Sequence, residues 1–403
     1  MSDPARPTPL PEPDPAERAV SGRVLARVRE EIQRAGGAIG FDRYMAIALY
    51  EPGLGYYASG RRKFGALGDF VTAPELTPLF GACVAAQLSH WLADLVPCVW
   101  EFGAGSGELA VQVLTELDRL GFEQAQYRII EVSAELRDRQ RATLAVRHPA
   151  ALERVTWLDA LPDRIDGIVL ANELLDALPA RLFALAAGGV VERVVQDAPD
   201  APGTLQLASR PADPAFGAQV RNRLSRAGWP GALPALAYAS EIGEQAQAWV
   251  TSIAERLGDG VMLLIDYGFP AQEFYHPARA TGTLNCHYRH RSHADPLWHP
   301  GLCDITTHVD FSAVHQAGAE AGLACIGYGS QASFLLGCGL ADRFASSEAG
   351  GDPLARVRSA QALQMLVSEA EMGELFKVIA LGSSDRLAPL CLAGRDRRES
   401  LRS

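Results

Sequence analysis

Val99-Trp-Glu-Phe-Gly-Ala-Gly-Ser-Gly-Glu108 runs from a short apolar stretch straight into three alternating glycines and then into an amphipathic segment. Residues 98–102 predict a strand and the glycines a turn. Ala110, Val113, Leu114 and Leu117 share one face of a predicted helix that Gly121 stops. Such a loop lets backbone amides approach a ligand closely at a helix N-terminus. The dinucleotide fingerprint G-x-G-x-x-G is not met: Gly103 and Gly105 fit it, but Gly107 comes one residue early and Glu108 holds the last glycine position. With Glu101 just before the loop, a pyrophosphate would meet two carboxylates.

A ligand with a cationic centre, such as S-adenosylmethionine, suits those acids better. Beyond Val96, short apolar runs alternate with longer amphipathic segments, the pattern of βαβ units around a parallel sheet. Candidate strands are 98–102, 127–131, 155–158, 167–171 and 261–266. The second ends on Glu131, where a carboxylate can accept both hydroxyls of a ribose. Asp159 ends the third and suits either an adenine amino group or a helix N-cap. Ligands in open α/β sheets sit beyond the carboxyl ends of the strands. The fourth strand, continuing as Ala171-Asn-Glu-Leu-Leu-Asp-Ala-Leu-Pro179, should therefore face the reacting group. Asn172, Glu173 and Asp176 offer an amide and two carboxylates to a cationic acceptor such as a guanidinium, although Asp176 taken alone reads more simply as a helix-start residue. Upstream, Gly68-Asp-Phe-Val-Thr-Ala-Pro-Glu75 reads on its own as a capped helix start.

The organisation follows from these segments. Residues 1–18 are Pro-rich and polar, a disordered tail by composition, and folding is expected to begin near Ser21. An N-terminal helical cap with a glycine-rich loop fills 19–95, and the core occupies 96–178 and 244–385. Between them, 179–243 is a β-rich insertion and candidate substrate-binding subdomain, with a hairpin at 181–195 and a strand at 204–208. Phe274 to Pro300 lacks any period and reads as a loop-like lid. A helix at 311–321, a strand at 324–336, a helix at 355–371 and a strand at 375–381 follow, then a tail at 386–403.

Composition narrows the function classes. The 403 residues are 48% apolar and 21% charged, enough to bury a core. Their net charge of -11, with dispersed arginines and only two lysines, Lys63 and Lys377, argues against nucleic acid. Seven cysteines without a CxxC pair fit a reducing compartment. No stretch has the roughly 18 apolar residues of a membrane span, and the acidic, Pro-rich start is unlike a signal peptide; a cytoplasmic protein is expected. His276, His287, His290, His293, His299, His308 and His315 concentrate in one region but lack the paired ligand elements of structural zinc sites, so no metal is expected.

Taken together, the chain resembles the MidA-like family of S-adenosylmethionine-dependent methyltransferases, related to the mitochondrial complex I assembly-factor methyltransferase. The resemblance rests on Gly68-Asp-Phe-Val-Thr-Ala-Pro-Glu75, Glu101-Phe-Gly-Ala-Gly-Ser-Gly107, Ala171-Asn-Glu-Leu-Leu-Asp-Ala-Leu-Pro179, Leu264-Ile-Asp-Tyr-Gly268, Gly282-Thr-Leu284, His287-Tyr-Arg-His290 and Asp304-Ile-Thr-Thr-His-Val-Asp-Phe311. It implies a class I, Rossmann-like fold with a mostly parallel seven-stranded sheet, and S-adenosyl-L-methionine as cofactor. The implied acceptor is a protein arginine, in a client that is a candidate complex I subunit. It implies cofactor binding by Gly68, Glu101, Gly103, Gly105, Gly107, Glu131 and Asp159, and an active site at Asp69, Glu75, Asn172 and Glu173. The rival reading is an assembly factor that binds the cofactor and a client without transferring the methyl group.

Overall fold

In a computed structural model that describes residues 10–58, 71–187, 189–234, 236–347 and 353–402, the chain is organised on one central sheet. Its strands are β1 (Cys98–Phe102), β2 (Gln126–Ile130), β3 (Val155–Leu158), β4 (Ile165–Asn172), β5 (Leu257–Phe269), β6 (Ala324–Ser330) and β7 (Phe376–Gly382). They lie in the order β6-β7-β5-β4-β1-β2-β3. β1 to β5 run parallel, and β7 is antiparallel to both of its neighbours. A two-residue strand, Val309–Asp310, pairs with the end of β5. This is the mostly parallel, Rossmann-like sheet the sequence implies.

Alternation along the strands divides the core into two layers. Val99, Ile168 and Leu170 pack on one face with helices Pro78–Leu92 and Glu108–Arg119. Trp100, Phe102, Val169 and Ala171 pack on the other with Met262, Leu264 and Ile379. Each such aliphatic side chain contributes roughly 1.5–3 kcal/mol by burial. Strand order reverses between β1 and β4, which opens a crevice at their carboxyl ends, the usual ligand position in such sheets.

Several elements differ from the sequence expectation. The first helix begins at Pro15, not near Ser21: Asp14 and Glu17 form a reciprocal capping box ahead of residues whose apolar spacing starts later. The insertion is not only β-rich. Beside its strands it holds the helix Pro214–Arg226, capped by Asp213 and buried through Phe216, Val220 and Leu224. The strand expected over 324–336 stops at Ser330, whose hydroxyl caps a helix from Gln331 to Gly337. The 274–300 segment is not a loop. Asn285–Tyr288, Arg291–His293 and Asp304–Thr306 form a small antiparallel sheet. Its tight turn places Arg289 and His290 at φ of 48° and 61°, a conformation usually marked by Asn-Gly, so the sequence carries no turn signal there. Among the described residues, no helix is long and apolar enough to cross a membrane.

Candidate functional site

A cavity of about 1190 Å³ opens at the carboxyl ends of β1, β2 and β4. Gly103, Gly105, Ser106, Glu101 and Glu131 line one end; Asn172, Glu173, Asp176, Asp304 and His308 line the other. Gly68 and Asp69 lie outside the described residues.

The glycine loop is shaped by backbone demands. Gly103 has φ of 70°, and a Cβ there would stand 3.1 Å from Leu174 Cδ1. Gly107, with φ of 83°, caps the Glu108–Arg119 helix, yet it does not line the cavity. A Cβ on Gly107 would instead sit 3.1 Å from the Gln140 Cα, so this glycine serves close packing. Gln140 is fully buried and links the parts of this end. Its Nε2 donates to Glu131 Oε2 and to the Gly105 carbonyl, both at 3.2 Å, and its Oε1 accepts the Trp157 indole N–H at 3.0 Å. The other Glu131 oxygen accepts the Ser133 amide at 2.9 Å. Nothing in the local sequence marks a lone glutamine on an otherwise polar helix as this hub.

Glu101 is 2% exposed and accepts the Tyr127 hydroxyl at 2.8 Å; burial pushes its carboxyl up to about 7. Glu75 accepts the Ser106 hydroxyl at 2.5 Å and so ties the upstream motif to the glycine loop. The Asp159 side chain is 76% exposed, 3.8 Å from Arg137, and absent from the cavity lining. It follows the end of β3, the outermost strand, where solvent competes with any ligand.

At the far end, Glu173 directly follows β4 with φ of 52°, a left-handed conformation that costs a non-glycine residue on the order of 1 kcal/mol. Asn172 Nδ2 donates to its Oε1 at 3.0 Å. Burial, reinforced by the negative charge of Asp176, pushes the Glu173 carboxyl up to about 8. Asp176 is buried and accepts the Tyr267 hydroxyl at 2.5 Å, and Asp304 accepts the Tyr57 hydroxyl at 2.8 Å. Tyr57 stacks on Tyr50 with ring centroids 5.5 Å apart. His308 packs edge-on against Tyr267 and is held neutral, its pKa lowered by burial to about 4. The histidine-rich segment thus contributes His287 and His308 to the wall. Among the described residues, no three His, Cys, Asp or Glu side chains gather as metal ligands would. Tyr57, Tyr267, Asp304 and His308 carried no role in the sequence reading, although three of them lie in motifs that carried the family resemblance.

The two ends differ in what they accept. The first offers a glycine-lined helix N-terminus, a strand-end carboxylate and a buried acid at Glu101, which fits an adenosyl group bearing a cationic centre. Across the whole lining there are eight carboxylates and, among the described residues, no lysine or arginine.

Comparison with known proteins agrees with this geometry. A family model described as "Putative S-adenosyl-L-methionine-dependent methyltransferase" matches residues 83–329. A crystallised protein from Burkholderia thailandensis bound to S-adenosyl-homocysteine is 45% identical, with a TM-score of 0.89, over 97% of this chain and 100% of that one. A Danio rerio protein named mitochondrial protein arginine methyltransferase NDUFAF7 is 29% identical over 88% of this chain and 86% of its own length. Its Drosophila melanogaster homolog is also 29% identical, over 93% and 88%. The chain belongs to this family of S-adenosyl-L-methionine-dependent methyltransferases.

Proposed function

We propose that this methyltransferase acts on the guanidinium of an arginine in a protein client. The observation that carries the reading is the acceptor end of the cavity, where half-buried Glu173 stands at the end of β4 in a lining rich in acids and, among the described residues, without lysine or arginine. Such a wall favours a cation with several N–H donors. The names of the curated relatives support the same acceptor class.

Bound S-adenosylmethionine supplies a methyl group already activated on its sulfonium. Gly103, Gly105, Glu101, Glu131 and Glu75 would hold the cofactor and its loop; Gly68 and Asp69 are proposed for the same side on the resemblance alone. The work left to the protein is to hold a nitrogen in line and to remove its proton. Glu173 would accept the proton that the guanidinium nitrogen gives up on taking the methyl group, the sulfonium leaving as the neutral thioether. Asn172 fixes the Glu173 carboxylate through its 3.0 Å hydrogen bond. An acid with a pKa near 8 is a better base close to neutrality than an ordinary carboxylate.

A complex I subunit is the proposed client, on the resemblance, and a cytoplasmic location is proposed from composition; the curated relatives are named mitochondrial. No residue of 179–243 lines the cavity among those described. The substrate role proposed for that insertion therefore concerns the client surface outside it. Purified protein incubated with methyl-labelled S-adenosylmethionine and client extract should label arginine, detected by mass spectrometry. Label on lysine or on a small molecule alone would overturn the acceptor assignment.

A further inference from the structure

The guanidinium reading leaves one group without a task. Asp176, which the sequence offers both to the acceptor and, more simply, as a helix-start residue, is 6% exposed, lines the cavity, and has one carboxylate oxygen, Oδ1, with no hydrogen-bond partner among the described residues. An unmatched buried carboxylate oxygen is costly unless a ligand donates to it. The other oxygen is fixed by the Tyr267 hydroxyl. The backbone beneath is fixed as well: the amides of Leu175 and Asp176 donate to Asp266 Oδ2 at 2.9 and 3.3 Å, and the Asp176 carbonyl accepts the Thr307 amide at 3.0 Å. Asp266 itself is 1% exposed and stands outside the cavity lining. The Leu264-Ile-Asp-Tyr-Gly268 motif therefore supplies both supports, Asp266 below and Tyr267 beside.

Asn172 Oδ1 is a second buried acceptor in the same wall without a partner. A planar guanidinium presents five N–H donors in a fixed fork, and one carboxylate can satisfy only one edge of it. We propose that Asp176 is the anchoring carboxylate of the acceptor subsite, taking the guanidinium edge that Glu173 does not use. This rests on the guanidinium acceptor proposed above. Asp176 then sets affinity and orientation, whereas Glu173 takes the proton.

The test uses the full chain saturated with S-adenosylhomocysteine, titrated calorimetrically with ethylguanidinium, ethylammonium and the neutral ethylurea. Ethylguanidinium should bind most tightly. Asp176→Asn, which keeps an oxygen for the Tyr267 hydroxyl, should weaken it at least tenfold, and Tyr267→Phe should weaken it by a smaller factor. In methyl transfer to an arginine client, Asp176→Asn should raise KM tenfold or more while single-turnover kcat falls less than threefold; Glu173→Gln should show the opposite split. Unchanged ethylguanidinium affinity in folded Asp176→Asn would overturn the subsite, as would equal binding of ethylurea. Should Asp176→Asn fail to fold, undiminished ethylguanidinium affinity in Tyr267→Phe would overturn it instead. The two readings separate cleanly. Guanidinium binding that depends on Asp176 without arginine methylation would sink the activity and keep the subsite, and arginine methylation with no Asp176 dependence would do the reverse.

Discussion

Glu173 combines a left-handed backbone with φ of 52° and a carboxyl pushed up to about 8 chiefly by burial. Strain of this kind is retained where the surroundings over-determine it, commonly at functional sites. If Glu173 takes the proton, only its ionised form is productive. The kcat/KM for methyl transfer should then rise with pH along a limb near 8. A bound cation favours the carboxylate, so the limb in kcat should lie lower. Glu173→Gln should lose the limb and lower turnover by roughly a hundredfold or more, within the range for an acid–base group. A pH profile of single-turnover rates for both proteins checks this, and an unaltered limb in the variant would move the role elsewhere. At the cofactor end, Glu131→Ala should weaken S-adenosylmethionine binding by on the order of 1.5–3 kcal/mol, the usual range for hydrogen bonds to a charged group. Calorimetry measures that loss, and unchanged affinity in a folded variant would remove Glu131 from the ribose.

The loop between β1 and its helix works through Gln140, which braces Glu131 and the Gly105 carbonyl together. Gly107→Ala places a methyl group against the Gln140 backbone and forces an L-residue to φ of 83°. It should cost about 1–2 kcal/mol of stability and also weaken cofactor binding by displacing the brace, read by thermal denaturation and calorimetry on the same variant. Binding that weakens while stability holds would mean that Gly107 touches the ligand after all. The contrast between elements shows what sequence can and cannot display. β1, with all five residues buried, announces itself as an apolar run flowing into glycines, and Glu131 and Glu173 follow from strand ends alone. Gln140 does not, because its significance lies in its partner Trp157, and Asp176 shows as an acid near the strand end while its support by Tyr267 stays hidden. The three-stranded sheet at 285–306 was hidden by a turn built from Arg289 and His290, which carry no turn chemistry. Asp159 has the strand-end place in the pattern, and what the pattern does not display is that its side chain faces solvent at the sheet's outer strand.

At the scale of the whole molecule, several acids are held away from water. Glu173 rises to about 8, and Glu101 and Glu241 each rise to about 7, with burial the largest cause in every case. A carboxyl whose pKa is raised by folding holds its proton more tightly in the folded state. Its stabilising contribution is complete below the ordinary value of 4.5 and is lost as pH rises through the folded value. The free protein should therefore lose stability between about pH 4.5 and 8 wherever these groups dominate. For Glu173 alone the displacement from 4.5 to about 8 corresponds to roughly 5 kcal/mol. A ligand that carries positive charge to the site favours the ionised acid and should restore part of this loss. Thermal midpoints at pH 5 and pH 8.5 should differ less in Glu173→Gln than in the parent chain, because the amide has no proton to lose. Saturating S-adenosylmethionine should raise the midpoint more at pH 8.5 than S-adenosylhomocysteine does, since only the former brings a sulfonium. Equal pH dependence in the parent and the Gln variant would show that Glu173 is already ionised in the free protein, and the strained residue after β4 would then be a carboxylate waiting for a cation.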